Sequence, residues 1–213
     1  MTPEWVTLGQ ERIFTCQQSG NCCRDPKLIV TLTYRDLYLL YAAMEQDFHS
    51  LLKRITFYTL KDVSDEKIRE RLVLRPIQVT KGQIIPGLRK DSVGDCVFYI
   101  KPNCSIYPYR PLACRNYPFA FRKIKGTKTL TAVWAKNATK TCPGIGQGSP
   151  FSKMTIQEMG EHYFEEVRKH NILVENLNLE AQEGKPLTPR EAIWVTIMYA
   201  QNEFQTQNED KIL

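Results

Sequence analysis

The chain has 213 residues, 42% of them hydrophobic and 24% charged, with a formal net charge of +6. That balance belongs to a soluble globular protein of ordinary domain size, and it argues against low complexity, as does the lack of internal repeats. No apolar run approaches the roughly 18 residues of a membrane helix, and Met1–Trp5 lacks the basic and apolar regions of a signal peptide. The cytoplasm is therefore the expected location, with no membrane partner.

Along the chain, Phe14–Cys23 reads as a loop, with Gly20 and Asn21 as turn residues. Thr33 with Asp36 resembles a capping box opening a helix over Tyr34–Ala43. A second helix is expected over Asp47–Tyr58 and a third, shorter one over Asp65–Leu72. Residues 75–92, which contain Gly and Pro, read as irregular. Cys96–Ile100 alternates like a strand, Lys101–Asn103 is a turn, and Cys104–Tyr107 is a second short strand. That hairpin would bring Cys96 near Cys104.

Arg110–Arg115 fits a single helical turn with Pro111 at its first position. Phe119–Ile124 and Thr129–Ala135 form a hairpin around Lys125–Lys128, and Cys142–Gly148 is a flexible loop. Its G-x-G-x-G run follows a cysteine and has no Rossmann repeat around it, so a turn that positions Cys142 is the better reading. Thr155 and Glu158 cap a helix to about His170, residues 171–187 form a linker, and Thr188, Pro189 and Glu191 open a last helix to about Phe204. The expected fold is α+β: a small cysteine-rich core of short β-hairpins and loops, flanked by helices at 33–72 and 151–205. Residues 11–150 are expected to form the cysteine domain, and 151–213 a helical extension packed on it.

The cysteines carry the chemistry. They are Cys16, Cys22, Cys23, Cys96, Cys104, Cys114 and Cys142, confined to two windows. In a reducing compartment a disulfide scaffold is not expected, and cysteine-rich patterns there are more often metal sites. One or two buried inert thiols are ordinary; seven in two windows are not. Thiolate is a soft ligand suited to zinc and to iron–sulfur clusters, and either takes about four. Seven thiols thus fit one site with spares, or two sites with shared or other ligands. The adjacent side chains of Cys22 and Cys23 tend to point apart, so one ion would rarely use both. No C-x₂-C pair is present, and His49, His162 and His170 lie outside both windows. The two windows are expected to meet in space.

The whole constellation is Phe14-x-Cys16-x₅-Cys22-Cys23, Gly94-Asp95-Cys96, Cys104-Ser-Ile-Tyr107, Arg110-Pro-Leu-Ala-Cys114-Arg115-x-Tyr117-Pro-Phe119 and Cys142-Pro-Gly. It resembles the zinc- or iron-chelating cysteine-cluster family, YkgJ-like, named for a C-x₂-C-x₂-C-C motif, over about residues 11–150. The family pattern has eight cysteines; Ser19 stands where one of them is expected. The resemblance implies a metal site holding an iron–sulfur cluster or a Zn/Fe ion, with the seven cysteines as its candidate ligands and some of them spare; Ser19 is expected to point at the cluster. Relatives include a flagellin lysine methylase that depends on an iron–sulfur cluster, so a cluster-dependent protein-modifying enzyme is one alternative to a metal-binding redox or structural protein.

Between Asp95 and Glu158 there is no carboxylate and there are ten basic residues, among them Arg110 and Arg115 flanking Cys114. A thiolate-rich centre carries negative charge, whose burial needs nearby cations. Arg110 and Arg115 are expected to supply them. A basic patch beside Tyr107, Tyr109, Tyr117, Phe119 and Trp134 also admits a zinc-stabilised anion- or nucleic-acid-binding module. Core packing is the better reading of those aromatics, so a protein or small-molecule partner is favoured over nucleic acid.

Overall fold

A computed structural model describes residues 13–26, 28–59, 73–123, 130–135 and 137–209. The molecule mixes helices with several small antiparallel sheets. No helix among the described residues is long and apolar enough to cross a membrane.

Helix α1 (Tyr34–Ala43) starts at the capping box the sequence announces. The Asp36 N–H donates to Thr33 Oγ1 at 3.1 Å, and the Thr33 N–H donates to Asp36 Oδ2 at 3.0 Å. Tyr34, Leu37, Leu40 and Tyr41 follow the helical period and are all buried. They meet Ile193, Ile197 and Ala200 of the last helix in the two main core clusters. Helix α2 (Phe48–Arg54) is capped by Asp47 and stops at Arg54. The helix expected over 47–58 is therefore shorter, because Ile55–Tyr58 leaves it as strand β2. Ile55, Thr56, Phe57 and Tyr58 are β-branched or aromatic and suit a half-buried pleat.

Residues 75–92 are not irregular. They hold β3 (Ile77–Val79) and β4 (Gly82–Leu88), and β4 is the middle strand of a β2-β4-β3 sheet. Pro86 and two glycines hide this strand from pattern reading. At Gly87 the reason for glycine is close approach: a Cβ there would lie 2.5 Å from the Tyr58 ring and 2.9 Å from the Val30 carbonyl oxygen. The short helix expected over Asp65–Leu72 lies outside the described residues, as does the Lys125–Lys128 turn.

In the cysteine-rich half the strands are shorter than expected. β5 (Tyr99–Ile100) pairs with β6 (Asn103–Cys104), and Tyr107–Tyr109 is a 3-10 turn. Helix α3 (Leu112–Asn116) follows Pro111, which is its N-cap residue, with Leu112 first in the helix. β7 (Phe119–Lys123) pairs with β8 (Leu130–Trp134) as a hairpin. After the one-turn α4 (Ala138–Thr141), the segment expected to be a flexible loop becomes β9 (Ile145–Pro150). It pairs with β1 (Ile13–Phe14), a partner more than 130 residues away that local pattern cannot announce.

Helix α5 (Lys153–Gln182) runs 30 residues, so the linker expected over 171–187 shrinks to the few residues after Gln182. Its cap is Ser152, which accepts from the Thr155 N–H at 3.0 Å, and not Thr155 itself. Asn171 and Asn178 look like breakers, but both serve tertiary contacts. Asn171 accepts from the Arg75 N–H at 2.8 Å and donates to the Val73 carbonyl at 2.9 Å. Asn178 does the same with the Gln78 N–H, 2.7 Å, and the Pro76 carbonyl, 3.1 Å. Two side-chain amides thus satisfy the outer edge of the β3 segment while Leu173, Val174 and Leu177 bury on the core. Helix α6 (Pro189–Glu209) opens on the expected Thr188 and Glu191 pair, at 2.8 and 3.3 Å, and runs past Phe204.

Candidate metal centre

The first cysteine loop is held from three sides. Its own turn closes by the Cys23 N–H on the Gly20 carbonyl at 2.9 Å. Gly20 has φ +70° and faces the Tyr99 ring so closely that a Cβ would meet it at 2.2 Å. The Cys96 N–H donates to the Cys23 carbonyl at 2.8 Å, joining the two cysteine windows through the main chain. On the far side, Asn21 Nδ2 donates to the Thr141 carbonyl at 2.8 Å, next to Cys142, and the Thr15 N–H donates to the Gly144 carbonyl at 3.1 Å.

The result is one cleft lined by Cys16, Cys22, Cys23, Cys96, Cys104, Cys114 and Cys142, together with Ser19 and Arg110. Cys16 is exposed, the other six are partly buried, and all seven are free thiols. Cys96, Cys104 and Cys114 back onto the main hydrophobic core, which fixes them more firmly than the loop cysteines.

Cys23 sits between Cys22 and Cys104. Its thiol has one proton to offer to either sulfur, and this neighbour lowers Cys104 to about 6 and Cys22 to about 7, against the opposing effect of burial. The positive charge of Arg110 adds a smaller downward pull on each. The same two neighbours, with burial, push Cys23 itself far up. Burial is the main cause that raises Cys96, Cys114 and Cys142. The thiolate is the form that binds metal, so Cys104 and Cys22 present ligands near neutral pH, while Cys23, Cys96, Cys114 and Cys142 release protons on binding.

Arg115 does not line the cleft. Its guanidinium lies 3.3 Å from Glu166 Oε2 and 3.6 Å from Asp36 Oδ1, both carboxylates almost wholly buried. Asp36 Oδ1 also accepts from the Leu112 N–H at 2.8 Å, the first residue of the Cys114 helix. Glu166 Oε1 accepts from Thr33 Oγ1 at 2.5 Å. The one-turn helix carrying Cys114 is therefore clamped at both ends by carboxylates from α1 and α5. The capping box identifies Asp36 as a helix cap but gives no hint of its second partner, and nothing local marks Glu166. His170 is buried and accepts from the Tyr34 N–H at 3.0 Å, far from a ligand role, while His162 Nε2 lies 3.4 Å from Glu166.

The donor set fits a soft metal: seven thiols and one serine oxygen share a cleft that no carboxylate lines among the described residues. Among the same residues, no three His, Cys, Asp or Glu side chains already converge tightly enough to enclose one ion. Ser19 lines this cleft, exposed, with the Asn21 N–H 3.5 Å from its hydroxyl oxygen. Ser19→Cys is expected to fold normally and to hold at least as much metal as the natural chain, measured by elemental analysis. A lower metal content would place the loop differently from the family motif.

A profile of the CxxCxxCC family, described as "Putative zinc- or iron-chelating domain", matches residues 15–143. The match covers well over half of the chain and contains every one of its cysteines, from Cys16 to Cys142. Uncharacterized protein MJ0661 of Methanocaldococcus jannaschii is 28% identical over 120 residues, covering 55% of this chain and 51% of that protein. The chain thus spans about half the length of that relative. No solved structure matches it.

Proposed function

This chain belongs to the CxxCxxCC family of zinc- or iron-chelating domains, and from that premise we propose that its cysteine cleft holds an iron–sulfur cluster serving a redox or cluster-dependent role. The observation that supports this reading is the convergence of all seven thiols, from five separate segments, on one cleft. A structural zinc site is closed and takes four ligands; this donor set exceeds four and stays open to solvent through Cys16.

In this reading Cys96, Cys104 and Cys114 hold the centre against the core, and Cys22 and Cys23 close it from the first loop. Cys16 and Cys142 supply thiols at the mouth. When bound, a cluster supplies one-electron chemistry at a potential set by charge, hydrogen bonds and solvent. The protein's own part is to supply those conditions. Arg110 places a cation beside Cys22 and Cys104, and the Cys23 and Tyr99 contacts hold the loop. Tyr107 lies beside Cys16, a neighbour that raises the tyrosine's pKa together with burial.

Anaerobic purification tests the proposal. The protein is expected to be brown, with visible charge-transfer absorbance and with iron and acid-labile sulfide in matching amounts. A colourless protein with stoichiometric zinc would overturn the cluster and leave chelation standing.

A further inference from the structure

The cleft offers more than thiols. Leu28, Val30, Leu88 and Ile106 line it beside the cysteines and make an apolar floor. Among the described residues, its charged lining is Arg89, Lys90 and Arg110. Lys90 is engaged in structure, since its Nζ donates to the Asp25 carbonyl at 2.5 Å and the Gly94 carbonyl at 3.2 Å. Arg89 is exposed. Arg110 is different. Its Nε donates to the Tyr107 carbonyl at 3.1 Å, and its guanidinium carbon lies 3.8 Å from the centre of the Tyr107 ring. One hydrogen bond and one stacked face fix the guanidinium plane. That hydrogen bond uses Nε and leaves the edge formed by the two terminal nitrogens to face the cleft.

An oriented guanidinium with a free edge is a two-pronged donor whose geometry matches a carboxylate. Balancing thiolate charge requires only a cation nearby; it requires neither a stacked, fixed plane nor an apolar floor. Pockets for small molecules combine such a floor with a few placed polar groups. We infer that the cleft binds, beside its metal centre, a small organic carboxylate with an apolar body, the carboxylate taken by Arg110 and the body laid on Leu28, Val30, Leu88 and Ile106. The inference rests on the proposed function only for what lies next to the ligand.

The test uses the full chain, with metal content measured on every sample. Isocaproate and its neutral isostere isocaproamide are titrated by ligand-observed saturation-transfer NMR. The carboxylate is expected to bind about tenfold or more tightly than the amide, the margin of a charge-assisted pair of bonds. In samples matched for metal content, Arg110→Gln should erase that difference, and Arg110→Lys should restore part of it. Equal affinities in the natural protein would overturn the inference, and so would selectivity that survives in Arg110→Gln, because the anion would then sit on the metal or elsewhere. If Arg110→Gln does not fold, the natural chain and Arg110→Lys carry the comparison. A natural chain without metal would sink the cluster proposal, while carboxylate selectivity is still read from the same titration.

Discussion

Asp36→Ala is expected to destabilise the protein by about 3–5 kcal/mol, the usual cost of removing one partner from a buried charged cluster. Asp36 is fully buried, and its side chain joins three elements. It accepts from the Thr33 N–H at the start of α1, from the Leu112 N–H at the start of α3, and lies 3.6 Å from Arg115. Alanine leaves both N–H groups without a partner in a dry site, and each such orphan is costly. Arg115 would keep Glu166 alone. Denaturant unfolding of the natural chain and the variant measures the loss directly. A second reading follows the cleft: with its clamp gone, the Cys114 helix should loosen, and labelling of Cys114 by a thiol reagent in the metal-free protein should quicken. Unchanged stability and unchanged Cys114 labelling would show that the carboxylate is a passenger. Asp36→Asn cannot serve as a silent substitute, because both Asp36 oxygens accept bonds and an amide would turn one of them into a donor.

Cys114→Ala is expected to remove half or more of the bound metal and to expose the segment 94–150 to protease. That segment is made of two-residue strands, one-turn helices and turns between Tyr99 and Thr141, with one longer hairpin. Such pieces close little apolar core by themselves, so ligand bonds that tie several turns to one centre contribute to folding directly. Cys114 packs on the main core and lines the cleft, which puts it where ligation and packing meet. The helices α1, α5 and α6 share the larger clusters, so loss should be partial, with the helical signal largely kept. Arg115→Ala is the matched control. It lies one residue away but faces Asp36 and Glu166, so it should lower stability while the folded protein keeps most of its metal. Metal analysis and limited proteolysis of both variants give the answer. Full metal and unchanged resistance in Cys114→Ala would make Cys114 an inert thiol.

Much of the site is legible in the order of residues alone. Cysteine identity and spacing are enough to place the chain in a chelating family and to name seven candidate ligands, because soft-donor chemistry depends on residue type. Capping boxes at Thr33 and Thr188 mark two helix starts, since a cap is a local bond between residues three apart. Tertiary contacts decide the rest. Pro86 and Gly87 sit in a central strand because β2 and β3 flank it and Tyr58 needs the space of a missing side chain. Asn171 and Asn178 stay helical because their amides bond a strand edge nearly a hundred residues earlier. Ile145–Pro150 is a strand because Ile13–Phe14 pairs with it. Arg115 turns to two buried carboxylates and not to the adjacent cysteine, since a half-buried guanidinium settles where fixed opposite charges are closest. The sequence by itself determined which atoms are fit to bind metal; only the fold decided which of their neighbours hold them in place, because those neighbours come from helices that sequence distance keeps apart.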